Sequence, residues 1–206
     1  MEKLIQQREN VEKQIIEIAE WANEEMFKSL FPEVEIKTNP FGEFGIDAAT
    51  KLGTMEEWKF NNGLHDRLYN QGYSYLIEET KFDELKQKAE SYCVRPMMRK
   101  FFEDAMMQID LSDITKEDLK QFYNGNFIME KTQHCGSREQ QPGFYVPYGY
   151  WRVVPYNHEQ TMRYYQIKEE KDKKTEPLRK EYYRLDNEIQ VLTAQRALTM
   201  LNFLHK

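Results

Sequence analysis

The chain has 206 residues, of which 40% are hydrophobic and 31% are charged, a balance that predicts a folded protein with a sizeable core. Its formal net charge of -6 argues against a surface that attracts phosphate backbones over its whole area. Two cysteines are too few for a disulfide framework or a four-cysteine zinc site, and no apolar run reaches the ~18 residues of a membrane span.

The first element along the chain is a predicted amphipathic helix over residues 1–31. Apolar side chains recur there at helical spacing between glutamates and lysines, and Pro32 disfavours helical geometry in the residue before it. At ~1.5 Å per residue this helix would be ~43 Å long, which predicts a long packing partner. The segment is charged and begins without an apolar run, so we expect no signal peptide and a cytoplasmic location.

Residues 54–125, which follow a predicted short strand EVEIKT, are expected to form a compact core of short helices. Three segments begin with a threonine followed three residues later by an acidic side chain, as in a capping box: TMEEWKF, TKFDELKQKAESYC and TKEDLKQFYNG. The apolar segment RPMMRKFFEDAMMQI predicts a further helix. On this interpretation Glu56 and Glu57 are surface carboxylates of a helix, a pair too common to identify a general acid and base.

The convincing β signal lies in residues 126–156, where NFIMEKT is followed after a polar loop by GFYVPYGYWRVV. Pro147 cannot donate a hydrogen bond to a ladder, so we expect it at an edge or a bulge of an irregular hairpin. Aromatic residues at consecutive positions would make the second strand apolar on both faces. One face can pack on the helical core, whereas the other needs a cover from the terminal helices or from a partner.

Residues 157–206 are predicted to form a C-terminal helical hairpin. Asn157 and Gln160 form a capping box at its start, and a second helix begins near Thr175 with Pro177 in its first turn. Five apolar residues then follow a 4,3,4,3 spacing that is typical of a coiled-coil-like contact: Leu178, Tyr182, Leu185, Ile189 and Leu192. We therefore expect this helix to pack against the N-terminal helix, within one chain or across a homodimer.

Together these elements predict a mainly α-helical single domain, 1–206, with a small β-hairpin. The long N- and C-terminal helices would pack coiled-coil-like around the compact cluster of short helices. No internal repeat and no Ser/Gly linker divides the sequence.

No complete catalytic or metal-binding motif stands in the sequence. HEQTM at 158–162 begins like the zinc-protease pattern, but Met162 occupies the place of the second histidine ligand. HCGSREQQ at 134–141 resembles a cysteine-phosphatase loop, but Arg138 follows Cys135 by three residues, where that loop has its arginine six residues on. We therefore predict a protein without catalytic residues, cofactor or metal, and keep a nucleophilic Cys135 as the third-ranked alternative.

The segment GFYVPYGYWRVVPY is the predicted binding site. Tyr, Trp and Arg are the residues most enriched in interface hot spots, and an uncovered aromatic patch usually marks a binding surface. The alternatives to a protein anchor are core packing on both faces and base stacking, which needs a basic groove beside the rings. The predicted partner-binding residues are Phe144, Tyr145, Tyr148, Tyr150, Trp151 and Arg152.

A small, acidic and Tyr-rich chain without catalytic residues resembles, in general character, accessory proteins of phages and mobile elements, including anti-CRISPR inhibitors. The resemblance implies a non-catalytic protein-binding module that blocks a nucleic-acid-processing enzyme, such as a nucleic-acid-guided nuclease. Acidic helix faces would meet a basic channel of that partner. The competing hypothesis is a single-stranded RNA- or DNA-binding module, although direct contact with nucleic acid is the less favoured of the two, and we expect no membrane contact.

Overall fold

The computed structural model describes residues 1–40, 46–60, 73–123, 127–132 and 138–204. The helices in these ranges are α1 (Glu2–Leu30), α2 (Glu79–Ser91), α3 (Lys116–Tyr123) and α4 (His158–Leu204). The strands are β1 (Ile36–Thr38), β2 (Ala48–Thr50), β3 (Thr54–Phe60), β4 (Tyr73–Glu78), β5 (Arg95–Phe101), β6 (Ala105–Asp110), β7 (Phe127–Thr132), β8 (Arg138–Pro147) and β9 (Arg152–Pro155). None of the four helices just named is long and apolar enough to cross a membrane.

A six-stranded mixed sheet is the centre of the fold, with the strand order β1-β2-β3-β5-β6-β9. Its first three strands form an antiparallel meander, and β3 then pairs in parallel with β5. Strands β6 and β9 add antiparallel on the far side. Because parallel neighbours need a crossover connection, the chain between β3 and β5 includes α2, which packs on one face of the sheet.

The two faces of this sheet bury different hydrophobic clusters. On the face toward α2, which we call the α2 face, Met55 and Met98 pack in one cluster with Phe82 of the helix. On the opposite face, the α1 face, Trp58 packs in a second cluster with Phe27 of α1. The buried residues of the sheet therefore belong to two separate interiors.

Alternation along β3 assigns its charged residues to these faces. Glu56 lies between Thr54 and Trp58 on the α1 face, whereas Glu57 and Lys59 continue the α2 face from the methionine at 55. The first five residues of β3 are all buried. A strand buried on both faces thus places two consecutive carboxylates in two different environments.

The prediction of a mainly α-helical fold is wrong, because the large sheet runs through the range 54–125 that was assigned to short helices. Strands β3, β5 and β6 occupy much of this range, which contains only α2 and α3 as helices in its described part. Thr54 does not cap a helix; its hydroxyl donates a hydrogen bond of 2.7 Å to Glu56. Central strands covered on both faces lack the simple alternation of half-exposed strands, so their charged residues resemble a helix surface in sequence.

The predicted packing of the N- and C-terminal helices is confirmed within one chain. Val11 and Ile15 of α1 are buried with Tyr182 and Leu185 of α4 in a separate hydrophobic cluster. Two ion pairs join the same helices, Arg8 to Asp186 at 2.8 Å and Glu25 to Arg163 at 2.5 Å. The start of α1 therefore lies beside the later part of α4, and the end of α1 lies beside the start of α4. The two helices are antiparallel.

The predicted C-terminal helical hairpin is wrong, because α4 is one helix that runs from His158 to Leu204 through Pro177. The capping box at its start is confirmed: Asn157 and Gln160 each donate a backbone N–H to the side chain of the other, at 2.9 Å. Thr175 is buried inside the helix and its hydroxyl donates to the carbonyl of residue 171 at 2.9 Å. Such back-bonding is the usual behaviour of threonine inside a helix. Thr175 therefore does not mark the start of a second helix.

The predicted hairpin within 126–156 is confirmed as the antiparallel pair β7 and β8. It is larger than expected, because β4 pairs with the other side of β8 to make a three-stranded sheet of order β4-β8-β7. Strand β9 belongs instead to the large sheet, beside β6. Phe144 of β8 contacts Phe82 of α2 edge to face, with ring centroids 5.9 Å apart. Helix α2 therefore packs against both sheets.

Candidate active site

Two carboxylates are neighbours where β2 begins. Asp47 directly precedes β2, and the register that pairs Ala48 with Glu56 continues to Asp47 beside Glu57. The backbone N–H of Trp58 donates a hydrogen bond to Asp47 Oδ2. Residues directly opposite each other on antiparallel strands have neighbouring side chains, so Asp47 joins Glu57 at the edge of the α2 face.

A lysine on the same strand completes this group. The Nζ atom of Lys59 lies 2.9 Å from Oε1 of Glu57, and the Glu57 side chain is only 3% exposed. The two residues are two positions apart on β3, which is the spacing that brings side chains to one face of a strand. Strand geometry therefore holds one ammonium against one buried carboxylate, while Asp47 stands beside them.

The two carboxylates repel one another, and the lysines beside them offset part of that repulsion. Burial, followed by the negative charge of Glu57, raises the pKa of Asp47 well above its usual range; Lys59 and the Trp58 N–H act in the opposite direction. The carboxylate of Glu57 raises the pKa of Lys59, which therefore stays protonated at neutral pH. Asp47 carries a desolvation cost that a further cation at this place would offset.

Two more lysines approach from other elements. Lys81, in the first turn of α2, has its Nζ 3.9 Å from Oε2 of Glu57. Lys100 of β5 is paired with Lys59, and its Nζ lies 5.6 Å from the ring centroid of buried Trp151. Two ammonium groups, from β3 and α2, therefore contact Glu57, and Lys100 of β5 lies on the same face of the sheet.

A small cleft opens on the other side of Asp47, toward α1. Asn39 at its rim has a left-handed backbone, with φ of 45°, and its side-chain amide donates a hydrogen bond of 3.3 Å to Glu20. Asparagine tolerates this conformation better than most residues, which explains its use there. The cleft is lined by Glu17, Glu20, Trp21, Glu24, Thr38, Asn39, Asp47 and Trp58. Asp47 thus separates an acidic cleft from the lysine group.

Beneath the site, a buried ion pair fixes β3 to β5. The guanidinium of Arg99 donates two hydrogen bonds to Glu56, from Nε at 2.6 Å and from Nη2 at 3.0 Å. Thr54 and the Trp58 indole also donate to this carboxylate, and Arg99 donates to Gln108 of β6. A bidentate pair with further donors is the geometry in which a buried carboxylate is fully satisfied. It holds the strand that carries Glu57 and Lys59.

The donor set fits a magnesium-like cation that the substrate helps to bind. In the described ranges, no three His, Cys, Asp or Glu side chains are already arranged around a metal position. Magnesium, however, is commonly bound by one or two carboxylates, water and substrate phosphate rather than by a closed protein cage. Asp47 and Glu57 could supply two such oxygen ligands, because they are neighbours on adjacent strands.

The residues predicted as a partner-binding site are divided by the fold. Phe144 and Trp151 are buried in the core of the α2 face. Tyr150 is 48% exposed, and Arg152 is exposed as well. The side chains of Tyr145 and Tyr148 lie outside the part of the molecule that the structure describes. The aromatic stretch is therefore partly core, and two of its six residues remain as a surface.

The other chemically suggestive residues do not join a site in the described ranges. His158 is exposed at the start of α4, and Cys93 is an exposed free cysteine with φ of 54°. His134 and Cys135 fall in residues 133–137, outside the described ranges, so the alternative of a nucleophilic Cys135 stays a prediction.

Sequence reasoning missed Asp47, Glu57 and Lys59. The available signal was an aspartate followed ten residues later by Glu-Trp-Lys. Read as a helix, TMEEWKF separates Glu57 from Lys59 by about 200° around the axis, whereas a strand puts both on one face. Because this segment was predicted to be a helix, the site was not recognised.

The chain matches no protein-family model, no curated protein and no solved structure.

Proposed function

We propose that this protein is a metal-dependent hydrolase of phosphodiester bonds in nucleic acid, with Asp47, Glu57 and Lys59 at its active centre. The observation that carries the proposal is the pair of adjacent carboxylates on one sheet face with the Lys59 ammonium 2.9 Å from Glu57. The pair of Glu56 and Arg99 fixes β3 to β5 on the α1 face, and the two acids with Lys59 form a second, separate charged group on the α2 face. Perturbed ionisable groups of this kind mark functional sites.

The carboxylates have the role of cation ligands. Asp47 and Glu57 would bind a Mg²⁺ ion, with water and a phosphate oxygen in its remaining positions. Such an ion lowers the pKa of a coordinated water and neutralises charge on the phosphate. The Trp58 N–H, by bonding to Oδ2, fixes the orientation of the Asp47 carboxylate.

Lys59 has the role of an electrostatic stabiliser. Its raised pKa keeps it charged at neutral pH, so it is suited to donate hydrogen bonds to an anionic phosphate. Negative charge accumulates on the phosphate oxygens as the attacking water adds, and a fixed ammonium lowers the energy of that state.

The number of cations favours a phosphate ester over other substrates of carboxylate pairs. Glycosidases also use two carboxylates, but a neutral sugar gains little from lysines. Here Lys59, Lys81 and Lys100 lie on the same face as Glu57. A phosphodiester carries the negative charge that such a group attracts, and nucleic acid is the polymer built from it.

Cleavage of labelled nucleic acids tests the proposal. Wild-type protein is incubated with single-stranded DNA, duplex DNA and RNA in Mg²⁺, in Mn²⁺ and in chelator. We expect metal-dependent cleavage of at least one substrate and a loss of roughly 1,000-fold or more in Asp47→Asn. Glu35→Gln is the matched control, because Glu35 forms an exposed ion pair with Lys51 at 2.5 Å. Absence of cleavage by wild-type protein, or equal cleavage by Asp47→Asn, contradicts the proposal.

A second candidate is the protein-binding function expected from the sequence. It is favoured by the exposure of Tyr150 and Arg152 and by large apolar side chains exposed late in α4: Val191, Leu198 and Met200. The partner proposed in that case remains a nucleic-acid-processing enzyme, or a second copy of the chain. A pull-down with and without added nuclease separates a protein partner from one bridged by nucleic acid.

We also propose a cytoplasmic location. Support comes from the low number of cysteines, two in the chain, and from Cys93, which stands as a free thiol at the surface.

A further inference from the structure

Lys171 differs from the other lysines of α4 in its surroundings. It is only 7% exposed. Three lysines of the same helix form ion pairs with acids one turn away: Lys168 with Asp172 at 2.9 Å, Lys174 with Glu170 at 2.6 Å and Lys180 with Glu176 at 2.6 Å. In the described ranges, the ammonium of Lys171 has neither a hydrogen bond nor an ion pair. Lys171 is therefore a buried amine without an acceptor.

The helix places Lys171 on its buried face. Tyr164 and Ile167, two turns and one turn earlier, are buried in the hydrophobic cluster of the α1 face. Thr175, one turn later, is 1% exposed, and its hydroxyl donates to the Lys171 carbonyl at 2.9 Å. Positions three and four residues apart share one face of a helix, so Lys171 occupies a place in the apolar stripe of α4.

Aromatic rings surround this amine. The Nζ atom of Lys171 lies 5.1 Å from the centroid of the Phe60 ring, at the end of β3. Phe60 stacks in turn on Tyr164, with ring centroids 4.6 Å apart and an angle of 4° between the planes. Both rings pack in the cluster of the α1 face, on the side of the sheet opposite to Glu57 and Lys59. The surroundings of Lys171 are therefore separate from the carboxylate pair.

Burial makes this amine easier to deprotonate. Desolvation is the largest influence on the pKa of Lys171 and lowers it, and the positive charges of Arg179 and Lys168 act in the same direction. Asp172 acts in the opposite direction. In the described part of the chain, these three residues of α4 are the ionisable groups that act on Lys171. A lysine that is desolvated, or placed beside other cations, supplies the neutral amine that a nucleophile needs.

We infer that Lys171 is a nucleophilic amine that forms a Schiff base with a small, uncharged aldehyde, at a site separate from the proposed hydrolase centre. The lone pair of the neutral Nζ attacks the carbonyl carbon and a C–N bond forms. The two amine hydrogens then leave with the carbonyl oxygen as water, so the step needs no further reactant. The product is a neutral imine, which suits apolar surroundings better than an ammonium does.

Reductive trapping of the imine tests the inference. Wild-type protein is incubated at neutral pH with propanal and sodium cyanoborohydride, which reduces an imine to a stable secondary amine. Peptide mass spectrometry then follows the modification of each lysine over time. We expect Lys171 to be modified roughly ten times faster than Lys173, an exposed lysine of the same helix, because the neutral fraction of an amine governs its reactivity. Near pH 10, close to the ordinary lysine pKa of about 10.4, exposed lysines lose their protons too, and the advantage should shrink.

Lys171→Met is the matched variant, because its unbranched apolar side chain can fill the buried place. It should unfold cooperatively and lose the fast phase of propanal incorporation. Wild-type protein in concentrated urea is the control for the fold, and there Lys171 and Lys173 should react alike.

Three results overturn the inference. The first is modification of Lys171 no faster than that of Lys173 in folded wild-type protein. The second is a preference for Lys171 that persists in urea, because the fold would then have no part in it. The third is a higher ratio of Lys171 to Lys173 modification with glyoxylate, an anionic aldehyde, than with propanal, because Lys171 would then be an anion-binding residue.

Discussion

Two consecutive glutamates of β3 face opposite sides of the same sheet and have opposite surroundings. On the α1 face, Glu56 receives two hydrogen bonds from Arg99 and further ones from Thr54 and the indole of Trp58. On the α2 face, Glu57 shares its place with Asp47 and is approached by lysine ammonium groups. Both are buried, at 0% and 2% exposure, so burial alone does not distinguish them.

A structural ion pair and a functional one differ in how completely each charge is satisfied. Around Glu56, the guanidinium of Arg99 is a planar, bidentate partner, and Thr54 and the Trp58 indole donate further hydrogen bonds. Around Glu57 the carboxylates repel one another, and their cations are point charges that can be redirected toward a ligand. A protein that only needed a stable sheet would gain by removing the second arrangement.

The largest effect on stability is expected from Glu56→Gln. Removal of one partner of a buried pair leaves the Arg99 guanidinium without its counter-charge, which costs about 3–5 kcal/mol. Chemical denaturation of the variant measures this loss. A cost below about 1 kcal/mol would mean that the α1 face does not depend on the pair, and the comparison of the two faces would fail.

A smaller effect of opposite sign is expected from Asp47→Asn. Folding raises the pKa of Asp47, so the folded state holds the proton more tightly, and stability falls as pH rises from the unfolded pKa through the folded pKa. The asparagine has no charge to desolvate, and its oxygen still accepts the Trp58 N–H. We expect a melting temperature a few degrees above wild type at neutral pH, measured in chelator.

The pH dependence is the control for this prediction. At acid pH below the ordinary aspartate pKa of about 3.9, Asp47 is protonated in both states and the advantage of Asp47→Asn should vanish. A variant that melts below wild type at neutral pH would show that the aspartate charge stabilises the fold, contrary to the account.

Local patterns in the sequence predict the elements that depend on nearby residues. The amphipathic stripe of α1, the 4,3,4,3 seam that buries Tyr182 and Leu185, and the capping box at Asn157 are all set within a few residues. The hairpin of β7 and β8 is local as well. These features could be predicted because the pattern that indicates each of them lies within a short stretch of the sequence.

The large sheet could not be predicted in the same way, because its charges are satisfied across long distances in sequence. Glu56 and its partner Arg99 are 43 residues apart. Without that partner, a run such as TMEEWKF contains too much charge for a central strand and resembles an exposed helix. Because the strand was not predicted, the site was not predicted either. Glu57 and Lys59 share a face only in an extended chain.

The cleavage rate of Glu57→Gln, compared with wild type in Mg²⁺, is the sharpest test of the proposed active centre. We expect a fall of roughly 1,000-fold in a variant that still unfolds cooperatively, with a melting temperature lowered by the loss of the counter-charge to Lys59. Wild-type cleavage that persists in folded Glu57→Gln would contradict the account, and the α2 face would then be a second structural core.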